Sequence, residues 1–332
     1  MPAIETKGLT KTFGESVVAL QDLDLTVEHG EVYGFLGPNG AGKSTTINLL
    51  LDFIHPSDGS AEVLGFDTRS ESLQIRQNIG ILPEGAEPYD RLTGREHVEF
   101  AMESKDVDGD VDAILDRVGL AGDDADRKAG GYSKGMAQRL GLGMALVGDP
   151  DLLILDEPST GLDPAGMAEM RDLIREEAAD GTAVFFSSHI LDEVEEVCDR
   201  VAILNEGRLV ADDDLDALRE EFTGECDITL DVAEVPAGSV DLGPVDGVVE
   251  TAVDDHAITV TCEHPRVKAD VVRHVDDRHE VTDVISEETS LESMFERYTN
   301  GDGGDEAATN GDTAGAASGE PADAADPAEV AR

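Results

Sequence analysis

Apolar and polar residues follow two alternating patterns along roughly the first 220 residues. Short continuous apolar runs, such as Val32–Leu36, recur between longer segments with apolar residues at helical spacing, such as 45–53. Parallel strands buried on both faces read as continuous apolar runs, and crossover helices connect them. The pattern therefore predicts an α/β core with a parallel sheet flanked by helices.

Two stretches interrupt this pattern. Strand-like runs disappear between residues 90 and 147, where the apolar spacing is helical, which predicts a helical insert. Near the start of the chain, apolar and polar residues alternate over 3–6 and 23–27, which predicts a small antiparallel β subdomain beside the core. We predict that this first domain spans residues 1–222.

The pattern changes after the first domain. Short alternating segments at 228–232 and 257–262 are typical of strands, and a helical segment follows at 291–298. These elements predict a small α+β accessory domain over residues 223–298. Beyond it, no large apolar side chain occurs before Val330, so that segment cannot offset the entropy cost of ordering. We predict a disordered acidic tail over residues 299–332.

The charge balance is strongly acidic. The chain carries 74 Asp and Glu against 24 Lys and Arg, which gives a formal net charge of -50. In molar salt the screening length falls to roughly 3 Å, so closely spaced surface carboxylates hardly repel each other. The composition therefore indicates adaptation to high salt, as in an extreme halophile. Nucleic acid is not an expected partner, because phosphate binding needs a basic face and the sequence has no long basic run.

The cysteine spacing and the hydropathy of the sequence indicate the cellular compartment in which the chain is expected. The three cysteines, Cys198, Cys226 and Cys262, lie far apart in the sequence and form no CxxC pair. This spacing argues against a zinc site or a disulfide framework and fits a reducing cytoplasm. A membrane span needs about 18 consecutive apolar residues, and no segment of the sequence comes close to this length. Residues 1–8 lack the apolar core of a signal peptide. We expect a cytoplasmic chain.

One segment matches the GxxxxGK[ST] pattern of phosphate-binding loops, and its context agrees, because it follows a strand-like run and opens a helical segment. The glycines let backbone N–H groups approach a phosphate, Lys43 reaches the β and γ oxygens, and Ser44 coordinates magnesium. Lys43 is therefore a candidate catalytic residue as well, and ATP with Mg²⁺ is the expected ligand. The expected nucleotide-binding residues here are Gly37, Pro38, Asn39, Gly40, Ala41, Gly42, Lys43, Ser44 and Thr45.

A second apolar run, residues 152–155, ends in Asp156 and Glu157. Ligands of α/β proteins bind at the carboxyl ends of parallel strands, so both carboxylates are expected at the ligand-binding edge. Asp156 is expected to hold magnesium, directly or through water. Glu157 is expected to act either as the general base for an attacking water or as the group that orients this water.

Several further motifs resemble those of ATP-binding cassette (ABC) proteins, over residues 3 to about 220 and in the family's order. Residues 132–139 resemble the family's signature sequence, residues 157–163 resemble the strand end with its D-loop, and residues 187–189 resemble the switch region. The resemblance implies the P-loop NTPase fold and an ATPase activity.

The resemblance also implies roles for individual residues. Phe13 occupies the position of an aromatic residue that stacks on adenine, and His189 that of a catalytic imidazole reaching the γ-phosphate. Ser133 and Gly135 belong to the signature, where a hydroxyl and a bare backbone approach phosphate oxygens. Asp163 either contributes to the nucleotide site or only caps the helix that follows it.

Two motifs depart from the family's commonest pattern. The Q-loop position carries Glu84 where glutamine is commonest, which keeps an oxygen for magnesium but adds negative charge near the γ-phosphate. In the signature, Lys134 and Met136 replace the commonest glycine and glutamine, whereas Ser133 and Gly135 are kept. The metal-binding set implied is thus Ser44, Asp156 and, less typically for the family, Glu84.

In the family, each ATP lies between the phosphate loop of one cassette and the signature of another. Because this chain has one cassette and no internal repeat, the resemblance implies a homodimer or a pair with a related subunit. It also implies a separate transmembrane permease, with this chain as the ATP-hydrolysing motor on the inner face of the membrane. The C-terminal region resembles that of export subunits for drugs, lipids or polysaccharides.

Two alternatives belong to other functional classes. A soluble ABC ATPase of translation or DNA repair usually carries two cassettes or a long coiled-coil insert, and the sequence shows neither. A P-loop GTPase needs an Asn-Lys-x-Asp motif for guanine recognition, which the sequence lacks.

Overall fold

The computed structural model describes residues 1–14, 16–222, 226–233, 240, 242, 245–254 and 257–287. The helix predicted at 291–298 and the tail predicted at 299–332 lie outside the described residues. Within the described part, no helix combines the length and apolarity that crossing a membrane requires.

Strands and helices alternate along residues 1–222, as the sequence pattern predicts. The strands are β1 (Ile4–Phe13), β2 (Val17–Val27), β3 (Val32–Leu36), β4 (Asp58–Val63), β5 (Phe66–Asp67), β6 (Ile79–Leu82), β7 (Leu152–Asp156), β8 (Ala183–Ser188), β9 (Arg200–Asn205) and β10 (Arg208–Asp214). The helices are α1 (Lys43–Leu50), α2 (Ser72–Asn78), α3 (Gly94–Lys105), α4 (Val111–Arg117), α5 (Lys134–Ala145), α6 (Pro164–Ala179), α7 (Leu191–Val197) and α8 (Leu215–Phe222).

The central sheet has the strand order β10-β9-β3-β8-β7-β6, and only the edge strand β10 runs antiparallel to its neighbour. Successive residues of its strands contribute to two different apolar cores: Leu153 and Leu155 pack in one, and Leu152 and Ile154 in the other. Because neighbouring residues of a strand point to opposite faces, both faces of the sheet are covered. This is why its strands read as continuous apolar runs, and it confirms the predicted α/β core.

A second sheet is antiparallel, with the order β2-β1-β4-β5. Its central strand β1 pairs on both sides, since Ile4 lies opposite Val27 on β2 and opposite Val63 on β4. All three side chains are buried in the core that also covers one face of the central sheet. The alternating pattern at the start of the chain therefore forms the predicted antiparallel layer.

The helices α3, α4 and α5 occupy the range predicted as a helical insert. Thr93 begins α3 with a capping box, because its hydroxyl accepts from the backbone N–H of Glu96 and the Glu96 carboxylate accepts from the N–H of Thr93. An ion pair between Arg117 and Glu177, with 2.7 Å between Nη2 and Oε1, joins α4 to α6. The boundaries of the insert stay a prediction.

The C-terminal described residues form an antiparallel sheet with the order β12-β13-β11-β14 and one helix. These elements are β11 (Cys226–Val232), β12 (Val248–Val253), β13 (Ala257–Cys262), β14 (Val281–Glu287) and α9 (Lys268–Asp276). Alternate residues of β11 and β13 pack with Val271 and Val275 of α9 in a core of their own. The strands at 228–232 and 257–262 are thus present, and the domain boundary at residue 222 stays a prediction.

Candidate active site

The phosphate loop connects β3 to α1 and approaches neighbouring strands very closely. Gly42 has φ 117°, and a Cβ atom there would lie 2.8 Å from the carbonyl oxygen of Ala19 on β2. A Cβ atom on Gly37 would lie 2.5 Å from the carbonyl oxygen of Leu204 on β9. Since neither position has room for a side chain, these glycines allow the loop to fold tightly onto the strand ends.

Lys43 is the first residue of α1 and is 7% exposed. Its Nζ donates a hydrogen bond to the carbonyl oxygen of Gly37 at 2.6 Å and lies 3.5 Å from Oε1 of Glu157. A buried ammonium is stable only when it is paired and hydrogen-bonded. The loop carbonyl and the Glu157 carboxylate supply these partners, which directs the lysine across its own loop.

Asp156 ends β7 directly opposite Ser187 of the parallel strand β8. The Ser187 hydroxyl donates to Oδ1 of Asp156 at 2.5 Å. Burial raises the pKa of the Asp156 carboxyl above its ordinary value; the Ser187 hydrogen bond lowers it, and the negative charges of Glu84 and Glu157 raise it. A cation bound at Asp156 would favour its ionised form.

Glu157 follows the strand with φ 50°, a conformation uncommon for residues other than glycine. Its backbone N–H donates to the carbonyl oxygen of Ser187 at 3.1 Å. The carboxylate is buried between two groups, because Oε1 lies 3.5 Å from Lys43 Nζ and Oε2 lies 2.8 Å from Nδ1 of His189. An ionised carboxylate only accepts hydrogen bonds, so this contact requires a proton on Nδ1.

These groups line a single pocket of about 260 Å³ at the carboxyl edge of the parallel sheet. It brings the phosphate loop together with both carboxylates at the end of β7, Glu84 after β6, and His189 after β8. Of the predicted loop residues, Gly37 and Ala41 do not line the pocket. The lining residues are Ala19, Pro38, Asn39, Gly40, Gly42, Lys43, Ser44, Thr45, Glu84, Asp156, Glu157, Thr160 and His189.

Of the two predicted signature residues, only Ser133 lies at an adjoining pocket. Ser133 begins α5 and accepts a hydrogen bond from the backbone N–H of Met136 at 3.2 Å, so it acts as a helix cap. Ser133 lines a pocket of about 480 Å³ that shares Glu84 and Glu157 with the phosphate-loop pocket. Gly135 lines neither pocket, and an added Cβ would meet Leu162 at 3.4 Å.

Phe13 and Asp163 also lie outside the phosphate-loop pocket. Phe13 ends β1 opposite Val17, is 43% exposed, and has Lys11 Nζ 5.0 Å from its ring centre. Asp163 caps α6, because its Oδ1 accepts from the backbone N–H of Gly166 at 2.8 Å. The structure therefore shows Asp163 as a helix cap, which is one of the two roles that the sequence suggested for it.

Three residues at this site have roles that the sequence did not assign. Ser187 binds Asp156, and its position in the switch region was the available signal. Thr160 lines both pockets and lies within the D-loop segment. Ala19 lines the phosphate-loop pocket from β2, and no sequence pattern indicated it.

The described residues contain no group of three or more His, Cys, Asp or Glu side chains arranged to hold a metal ion alone. The phosphate-loop pocket is lined by Ser44, Asp156 and Glu84, and each of these residues carries a side-chain oxygen. Mg²⁺ prefers oxygen ligands and usually takes few from protein, with phosphates and water supplying the rest. These side chains therefore fit a magnesium ion that arrives with a nucleotide.

The sequence matches the family model described as ABC transporter over residues 20–160. It is 46% identical over 210 residues to an uncharacterized ABC transporter ATP-binding protein of Nostoc sp., with 61% of this chain and 62% of that relative covered. It is 34% identical over 309 residues to a daunorubicin resistance ATP-binding protein of Streptomyces coeruleorubidus, with 90% of this chain and 96% of that relative covered. The chain thus spans less than two thirds of the Nostoc relative but nearly all of the Streptomyces one.

Solved structures of ATP-binding cassettes are also similar to this chain. An ATP-binding subunit of an ABC transporter superposes with a TM-score of 0.60 and 30% identity, covering 66% of this chain and 93% of that one. A dimeric ATP-binding cassette in a post-hydrolysis state, bound to ADP and phosphate, superposes with a TM-score of 0.58 and 25% identity, covering 64% and 98%.

Proposed function

Because this chain belongs to the ABC transporter family, as an ATP-binding subunit, we propose that it hydrolyses ATP in the phosphate-loop pocket to drive a separate membrane permease. One observation carries the proposal: the Glu157 carboxylate is held between Lys43 and His189 at the edge of the phosphate loop. A fixed carboxylate beside a phosphate-binding loop is what ATP hydrolysis requires, because it places a proton acceptor next to the attacking water.

In this proposal, the phosphate loop makes most of the contacts to the nucleotide before hydrolysis. Its N–H groups and the Lys43 ammonium bind the β- and γ-phosphates, and Ser44 and Asp156, with Glu84 nearby, would hold a magnesium ion. When bound there, magnesium would neutralise part of the charge that develops on the phosphate oxygens. Ser187 donates to one oxygen of Asp156, and a cation held there would favour the ionised carboxylate.

The hydrolytic step falls to Glu157. Its carboxylate accepts a proton from water, or orients that water, as the water oxygen attacks the γ-phosphorus and ADP leaves. His189 keeps the carboxylate in position through Nδ1–H. A phosphate that binds the Lys43 ammonium competes with Glu157 for it, so nucleotide binding leaves the carboxylate with His189 as its remaining partner.

We propose a homodimer in which Ser133 and Gly135 of one chain contact the nucleotide of the other. The single cassette supports this, as does the likeness to a dimeric cassette. The name of the Streptomyces relative supports export as the direction of transport. The chain then lies on the inner face of the membrane, bound to its permease, and Phe13 stacks on adenine at the edge of the site.

Phosphate release by the purified chain in molar potassium chloride tests the proposed catalytic role of Glu157. Glu157→Gln keeps the size of the side chain but removes the base, so turnover should fall about 100-fold or more, since a positioned base contributes roughly 10²- to 10⁴-fold. ATP binding should persist. Glu99→Gln, at an exposed position of α3, is the matched control and should hydrolyse ATP normally. Near-normal turnover of Glu157→Gln would remove Glu157 from this role.

A further inference from the structure

Cys226 and Cys262 lie directly opposite each other on the antiparallel strands β11 and β13. Opposite residues of an antiparallel pair have Cα atoms roughly 4.5 or 5.5 Å apart, depending on the hydrogen-bonding position. Both spacings fall within the roughly 4.4–6.8 Å that a disulfide bond spans. The backbone therefore already holds these cysteines at a bonding distance, although 35 residues separate them in the sequence.

The two side chains also share one environment. Cys226 is 3% exposed and Cys262 is 0% exposed, and both belong to the apolar core beneath α9. Burial raises the pKa of the Cys262 thiol, and the adjacent Cys226 raises it further. Within the described residues, which include all three cysteines, no disulfide bond is present. Because both cysteines are buried, exchange with an oxidant or with a reductant requires local opening of this small sheet.

We propose that Cys226 and Cys262 are a redox site that forms a reversible intrachain disulfide when the chain meets a low-molecular-weight disulfide. One cysteine thiolate attacks a sulfur of the oxidant R–S–S–R, which gives a mixed disulfide and releases one thiol R–SH. The second cysteine then attacks the protein sulfur of the mixed disulfide and releases the second R–SH. The two cysteines lose two electrons and two protons, and both are recovered in the two R–SH molecules.

The bond would join the first residue of β11 to the last residue of β13 and close the chain between them into a loop that contains β12. Closing a loop restricts the unfolded chain, so oxidation should stabilise the accessory sheet. The proposal does not involve the nucleotide pocket, so it stands or falls separately from the proposed ATPase function.

Cys198 provides an internal control. It follows α7 and packs against β3, where its Sγ would lie 2.9 Å from a Cβ atom placed on Gly34. It is buried, as are the other two cysteines, so burial alone does not distinguish them. Only the cross-strand position sets Cys226 and Cys262 apart within the described residues.

The test uses the full chain, reduced and then incubated natively with oxidised glutathione in an alkaline high-salt buffer. We expect two of the three thiols to disappear, with a mass loss of about 2 Da as two hydrogens leave. Peptide mapping without reductant should show Cys226 joined to Cys262 and Cys198 still reduced. Dithiothreitol should restore the thiols, and the oxidised chain should unfold at a higher temperature.

Variants with one cysteine replaced test which two cysteines form the bond. Cys198→Ser should still form the bond, whereas Cys226→Ser and Cys262→Ser should not. Should a serine variant fail to fold, the peptide map of the unaltered chain decides alone. Three remaining thiols after native oxidation, or glutathione adducts on single cysteines without a cross-link, would overturn the proposal. So would a cross-link that forms only after denaturation.

Discussion

Glu157 and His189 are joined by a hydrogen bond of 2.8 Å between Oε2 and Nδ1, although they follow different strands. The imidazole Nδ1–H thereby fixes the direction of the carboxylate that we propose to act on the attacking water. In a neutral imidazole with its proton on Nδ1, the second ring nitrogen, Nε2, is left as an acceptor, so the two nitrogens have different roles. The two nitrogens can therefore be tested separately.

We expect His189→Ala to lower kcat about 10- to 100-fold with little change in ATP binding, because a mispositioned catalytic group costs up to roughly 100-fold. His189→Asn places an amide N–H near the position of Nδ1–H and should recover part of the loss. His55→Ala, at a histidine outside the phosphate-loop pocket, is the control. If asparagine recovers nothing, His189 acts on the phosphate through Nε2 and not by orienting Glu157.

Asp156→Asn should stabilise the chain in the absence of nucleotide and magnesium. The folded-state pKa of Asp156 is raised above its ordinary 3.8 by burial, so its ionised form destabilises the fold above that raised pKa. This cost is lost as the pH falls through the folded-state and then the ordinary pKa. Asparagine keeps an oxygen that accepts from Ser187 but carries no charge.

Thermal unfolding in chelator at neutral and acidic pH checks the effect. The midpoint of Asp156→Asn should exceed that of the unaltered chain at neutral pH, and the difference should shrink in acid. Asp172→Asn is the control: it removes the same charge, but from a carboxylate that is exposed on α6, so it should not raise the midpoint in this way. A lower midpoint for Asp156→Asn at neutral pH would contradict the assignment.

Ser133→Arg should abolish ATP-driven association while isolated chains still bind ATP. Ser133 does not line the phosphate-loop pocket of its own chain, so a bulky cation there should disturb only a contact with a second copy. Light scattering in the Glu157→Gln background, in which hydrolysis does not dissolve the dimer, measures association.

Two controls separate packing from interface effects at this position. Ser133→Ala removes the cap of α5, which costs about 1 kcal/mol, but adds no bulk. Ser104→Arg adds the same cation on α3. Both should associate with ATP, and loss of ATP binding by dilute Ser133→Arg chains would show that Ser133 serves its own site.

The formal net charge of -50 predicts that salt stabilises the fold. Screening weakens repulsion between surface carboxylates, so the thermal midpoint should rise between dilute buffer and molar potassium chloride. A neutral osmolyte at equal osmolarity should raise it less, because it does not screen charge. A midpoint that is insensitive to potassium chloride is incompatible with this explanation.

The sequence by itself determined the features that depend on neighbouring residues. The loop from Gly37 to Ser44 combines its glycines, lysine and hydroxyl within one short segment, so its pattern and its backbone geometry coincide. The run that ends at Asp156 is buried on both faces of the sheet, and its uninterrupted apolar residues indicate this burial directly. Strand positions were therefore predictable from local physical requirements.

Tertiary structure alone decided which distant residues meet. The order of strands brings β8 beside β7, and this places Ser187 against Asp156. In the same way, antiparallel pairing places Cys226 opposite Cys262, although their separation in sequence suggested no relation. Hydrophobic periodicity states which face of a strand is buried but not which strand lies beside it, because pairing depends on the packing of the whole domain.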